Sequence, residues 1–103
     1  MAEAFTYKLT TETELFSFDF SQVLSASETI STASCSVILM NGTDASPSLI
    51  LSGSASISGS KANQRVTGGV SECTYRLVMT ITTSSSNTYT AVGDIPVYSP
   101  SLV

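Results

Sequence analysis

From Tyr75 to Thr82 the chain alternates without a break, with Tyr75, Leu77, Met79 and Ile81 on one side and Arg76, Val78, Thr80 and Thr82 on the other. A period of two is the signature of a strand with one face against a core, and it predicts a strand over residues 74–83. The same pattern recurs along the chain. In 15–20, Phe16, Phe18 and Phe20 oppose Ser17 and Asp19; in 30–40, Ala33, Cys35, Val37 and Leu39 oppose Ser34, Ser36, Ile38 and Met40. In 61–67, Ala62, Gln64 and Val66 share a side, and 48–52, 54–58 and 88–97 are further strand candidates. Turn signals separate these runs. Asn41-Gly42 tolerates the positive φ of a tight hairpin, Pro47 opens 48–52, Gly53 and Gly59 bracket 54–58, and Ser84–Asn87 makes a second hairpin turn. Residues 21–29 form a corner in which Val23 or Leu24 plugs the end of the core, and Pro96 marks an edge or a strand end.

About seven short strands at roughly 8–12-residue spacing predict a two-sheet sandwich. Tyr75 sharpens that expectation. It enters its strand just after the Gly68-Gly69 corner, where a tyrosine hydroxyl bonded back to nearby backbone ties down the corner of immunoglobulin-like domains. The expected fold is therefore all-β, a single immunoglobulin-like β-sandwich of about seven antiparallel strands over residues 15–103. Residues 1–14 precede it as an N-terminal arm or a first strand. There Phe5, Tyr7 and Leu9 alternate with Thr6, Lys8 and Thr10, so the segment could pair with a neighbouring molecule as an added strand. As a free arm, residues 1–10 would be dispensable for folding.

Composition supports one foldable domain, since 42% of the 103 residues are hydrophobic and only 12% charged. Ser (20) and Thr (14) make up a third of the chain while strong helix formers are scarce, which again favours strands and turns. A net charge of −4 with four basic residues, Lys8, Lys61, Arg65 and Arg76, offers little to phosphates. Nucleic acid and anionic membrane surfaces are poor partners for it. The first residues lack a basic segment followed by a long apolar one, so no secretory signal is expected, and no run reaches the length of a membrane span.

Candidate chemistry is sparse. Without histidine the chain lacks the commonest general base and metal ligand. Its carboxylates Asp19, Glu28, Asp44, Glu72 and Asp94 are scattered singly, and Glu12 and Glu14 belong to a segment expected to be solvated. Ser58–Lys61 matches a Ser-x-x-Lys pattern only by chance, because that chemistry needs a helix start. Asn41–Thr43 matches a glycosylation acceptor but reads better as a turn. Cys35 and Cys73 are expected as reduced thiols, Cys35 as a small core residue, and they are too few for a metal site. Neither a catalytic residue nor a cofactor is expected. Tyr89 and Tyr98 are the late aromatics that a carbohydrate-binding module would use.

Phe18-Asp19-Phe20-Ser21, Leu24, Glu28-Thr29-Ile30, Gly42–Pro47, Leu51–Gly53, Val66–Gly69, Tyr75 and Thr82–Ser84 together resemble small proteins of tailed-phage structural gene clusters, over residues 15–97. Members of that family often carry Trp at the position of Phe20. The resemblance implies a sandwich fold and a non-enzymatic virion component, assembled in the bacterial cytoplasm in many copies. Its most specific implication is an adaptor in the tail or neck joining tail fibres to the tail. A capsid decoration protein is the alternative within the structural class, and a carbohydrate-binding adhesion module the alternative outside it. Other virion proteins are the implied partners, and Phe5, Tyr7, Leu9, Asn41, Thr43 and Asp44, with the 84–87 loop, are the expected contact residues.

Overall fold

The computed structural model describes residues 2–103 and contains eight strand segments. These are β1 (Ala2–Ala4), β2 (Lys8–Leu9), β3 (Thr13–Asp19), β4 (Ile30–Asn41), β5 (Leu51–Ser58), β6 (Lys61–Thr67), β7 (Cys73–Thr83) and β8 (Thr88–Tyr98). Short 3-10 helices span Pro47–Ile50 and Pro100–Leu102. One sheet runs β1-β8-β7-β4 with β2 also on β8, so β1 and β2 share an edge and the sheet is four strands wide; the other runs β3-β6-β5. Pairing is antiparallel everywhere except at that edge, where β1 and β2 run parallel to β8.

The core lies between the sheets and follows the alternation. Tyr75, Leu77, Met79 and Ile81 from β7, with Ala91, Ile95 and Val97 from β8, meet Phe16, Phe18, Ala62 and Val66 from the smaller sheet. All are at most 4% exposed, and burying such a row supplies the main driving force for folding. At the 21–29 corner the plug is Leu24, packed on the core, while Val23 remains at the surface.

Several expectations needed revision. Gly42 does sit in a turn with positive φ, but no hairpin follows. β4 and β5 belong to different sheets, so residues 42–50 cross between layers, and Pro47 starts a 3-10 helix rather than a strand. Of the candidate segment 48–52, residues 48–50 belong to that 3-10 helix and only Leu51 and Ser52 join 54–58 in the single strand β5, with a register shift between Ser52 and Ser56. Gly53 thus accompanies an irregularity, not a strand break. Pro96 lies in an interior strand, because β8 has neighbours on both sides. Asp94 and Tyr98 accept bonds from Phe5 and Thr10 of the N-terminal segment, and alternate strand residues address the same neighbour. Pro96 therefore turns its missing donor toward the gap between β1 and β2, where no ladder bond is needed.

The N-terminal segment is part of the fold. Phe5, Tyr7 and Leu9 do not share a face: Phe5 and Leu9 are half-buried, Tyr7 is 51% exposed, and Lys8 between them is buried. The irregular stretch between β1 and β2 breaks the alternation that the sequence suggests. Phe5 lies over Gly93, where an added Cβ would collide with its ring. Its ring meets Phe16 and Phe18 edge-on at 4.9 and 5.5 Å, so it joins the β8 edge of one sheet to β3 of the other.

Candidate interaction surfaces

At one end of the sandwich, the crossing loop after β4 is fastened to the corner before β7. The Tyr75 ring is fully buried, and its hydroxyl donates to Asp44 Oδ2 at 2.7 Å while accepting the Val70 N–H at 2.9 Å. The second bond is the corner tie expected from sequence. Burial pushes the phenol above its usual range and the Asp44 acceptor adds to the effect, so the hydroxyl remains a donor at any working pH. Asp44 Oδ1 in turn accepts the Ser46 N–H at 2.9 Å. The backbone at Gly42 lies against Cys73, whose thiol donates to the Thr43 carbonyl at 3.6 Å.

Lys8 reaches the same corner from the N-terminal edge. Its Nζ donates to the Gly68 carbonyl at 2.6 Å and to the Leu9 carbonyl at 2.8 Å. Burial lowers its pKa, and the nearby charges of Glu12 and Glu14 partly oppose that shift. Among the expected contact residues here, Asn41 and Thr43 are exposed, whereas Asp44 is half-buried with both oxygens engaged. Beside them a shallow cavity of about 280 Å³ runs between Asp44, Leu49 and residues 67–70. Leu49, 76% exposed, forms its rim.

The opposite end is organised by Glu28, which is nearly inaccessible and accepts hydrogen bonds from both turns that meet there. Its donors are the Thr83 hydroxyl, Asn87 Nδ2 at 2.9 Å, and the backbone and hydroxyl of Ser25 at 3.1 and 3.0 Å. Ser84 adds a backbone bond to the Thr29 carbonyl at 2.8 Å. These bonds, the Thr83 hydroxyl foremost, hold the Glu28 carboxyl at about 2. Sequence reasoning missed this network. Ser25 and Glu28 sit three apart as in a capping box, which was a usable signal, but Thr83 and Asn87 arrive only through folding.

A carboxyl depressed in the folded chain contributes stability above its unfolded pKa, near ~4.3, and loses it as pH falls toward the folded value. Glu28→Gln should therefore flatten the fall in stability between the unfolded carboxyl range and about 2, read by urea unfolding at a series of pH values. Parallel wild-type and variant profiles would refute the assignment.

Among the described residues of β4, β7 and β8, the outer face of the four-strand sheet carries one charged pair, at its centre. Arg76 meets Asp94 through two bonds, Nε–Oδ1 at 2.7 Å and Nη2–Oδ2 at 3.0 Å. Both side chains are about a third exposed, where such a pair contributes little to stability. Ile38 and Met40 are exposed on this face, and Tyr7 packs edge-on against Tyr98 at 6.0 Å. Tyr89 lines a separate small cavity with Phe20, Val23 and Thr90. Tyr89 and Tyr98 stand nine positions apart along β8, or about 30 Å, so the two do not form one aromatic platform.

Cys35 and Cys73 are free thiols. Cys35 faces Met79 in the β4–β7 ladder, six residues along β7 from Cys73, a separation of about 20 Å that no disulfide spans. Burial raises the Cys35 thiol to about 11. Among the described residues no three His, Cys, Asp or Glu side chains come together to hold a metal ion. Among them, too, no helix is long and apolar enough to cross a membrane.

The loops at both ends of the two-sheet sandwich are thus held by hydrogen bonds within the chain. The model of the Podophage GP4 fiber-tail adaptor protein gp77 family matches residues 8–95, and the chain belongs to that family of phage tail structural adaptors. No curated protein and no solved structure matches the chain.

Proposed function

We propose that this chain is a non-enzymatic virion protein, present in many copies in the tail or neck, that joins tail fibres to the tail through protein contacts. The family match over residues 8–95 carries this reading, because it covers the whole sandwich from β2 into β8. The architecture supports an immunoglobulin-like assignment. β3, β6 and β5 form one sheet and β4, β7 and β8 the other, as strands B, E, D and C, F, G do in constant-type immunoglobulin domains, although β1 and β2 lie on β8 and not beside β3, and Tyr75 makes the corner bond.

The mechanism is geometric. Both loop ends are held by hydrogen bonds within the chain, so a partner meets a preformed surface and little ordering cost is left to binding. Asn41, Thr43, the exposed ring of Tyr7 and the 84–87 loop are the contact candidates that remain accessible; Asp44 shapes the first loop through Tyr75, and Phe5 and Leu9 hold the N-terminal edge. Repetition around a symmetric particle multiplies modest contacts into a stable joint. The partners are tail and fibre proteins, and the protein acts within the virion.

Deleting the gene should yield particles with filled heads and tails but no attached fibres, and antibody labelling of wild-type particles should mark the tail. Labelled heads, or head rupture with fibres still attached, would instead identify a capsid decoration protein.

A further inference from the structure

The edge of a β-sheet is a row of unpaired backbone groups, and proteins guard it with short strands, charges, prolines or bulges. This sandwich has four edges, and three are guarded. β1 and β2 break theirs into runs of three and two residues. β3 carries Glu14 and Asp19. β5 slips register between Ser52 and Ser56.

The fourth edge is different. β4 is twelve residues long and contains neither a charge nor a proline. Its irregularities lie only at its ends, and from Thr32 to Leu39 it pairs with β7 in unbroken register, while no described strand pairs with its other side. Its inward row, Ala33, Cys35, Val37 and Leu39, is only half-buried, although the inward residues of β7 beside it are buried. Between β4 and β5 a cleft of about 250 Å³ opens, lined among others by Ala33, Cys35, Leu51 and Ala55. In variable-type immunoglobulin domains the corresponding edge carries further strands of the same chain.

We infer that β4 is an interface between two copies of this chain, paired antiparallel about a two-fold axis so that their larger sheets become continuous. The occupant follows from the other edges. A second copy offers three guarded edges and one open one, so β4 finds its complement in β4, the self-complementary arrangement of a two-fold interface. No like charges face each other across the join, although each chain carries −4. Each side chain keeps its face only if residues of like parity stand opposite, because a one-residue slip exchanges the faces. The axis therefore passes between one residue and its own copy, and Cys35 and Ser36 are the central positions of the regular run. The cleft beside β4 receives the inward side chains of the added strand. This inference rests on the sheet edges and not on the tail assignment, so either can fail alone.

The purified full chain, followed by sedimentation over a concentration series, should dimerise. Ser34→Lys/Ser36→Lys should weaken the dimer at least tenfold while leaving the melting temperature of the dilute monomer unchanged, since both side chains are exposed on the outer face. In parallel, mild oxidation should link two copies through either native Cys35 or Ser36→Cys in a Cys35→Ala background, and not through Ser17→Cys on the β3 edge. A chain that stays monomeric throughout, a dimer indifferent to the lysine pair, or a dimer that forms neither central crosslink would overturn the inference.

Discussion

Gly42→Ala should be among the most damaging small changes to this protein, lowering stability by about 2–6 kcal/mol. Two effects add. The backbone there has φ +92°, a region that costs a residue bearing a Cβ roughly 1–3 kcal/mol. The new methyl would also stand 2.5 Å from Cys73 Sγ, 2.9 Å from Cys73 Cα and 3.0 Å from the Glu72 carbonyl, and forcing such an atom into a packed site costs about another 1–3 kcal/mol. For a domain of this size the melting temperature should fall by about 10 °C or more. Because one obstacle is a side chain and two are backbone, Cys73→Ala should relieve only part of the loss: measured against Cys73→Ala alone, Gly42→Ala should cost less than in the native background but still well above zero. A near-neutral Gly42→Ala would mean that the loop passes Cys73 at a greater distance than described.

Tyr75→Phe should be the second large effect, at about 1–3 kcal/mol. The ring stays buried, so packing is preserved. What disappears is the donor to Asp44 and the acceptor for the Val70 N–H, and two polar groups lose their partners at once. The Val70 amide should exchange faster with solvent by about the factor that the measured stability loss predicts, or by more if the corner opens locally. Asp44→Ala should not add its full cost to that of Tyr75→Phe, because both remove the same bond. Additive costs, or a Val70 amide that exchanges as in the native chain, would show that the hydroxyl does not hold the corner. Gly42 and Tyr75 address one loop from two sides. If 41–46 is a contact surface, both variants should weaken partner binding more than surface changes such as Thr43→Ala that leave the loop anchored.

The strands and the core were legible because alternation is a local property. A residue in extended backbone has its face set by its immediate neighbours, so Phe16, Phe18, Ala62, Val66 and the odd-numbered row from Tyr75 to Ile81 could be placed inside from their spacing. Tyr75 was readable for a similar reason, since its partner Val70 lies only five residues away. Reading failed where the partner is remote. The burial of Lys8 depends on the Gly68 carbonyl, sixty residues on. Glu28 looked isolated because Thr83 and Asn87 lie more than fifty residues away, and Phe5 is sheltered by the side chain that Gly93 lacks. The Asn41-Gly42 turn was located correctly and its consequence misjudged, since a turn signal records the bend and not which sheet the chain enters next.

By itself, then, the amino-acid sequence determined that this protein is a pair of layered sheets with a tyrosine-tied corner, and its residues carried a likeness to phage structural proteins that the family match upholds. Only the tertiary structure decided which strands share a sheet, that the first residues lie parallel to the last strand, and that β4 is left with an open edge. Those outcomes depend on contacts between segments far apart in the chain, whose geometry no short window of residues encodes.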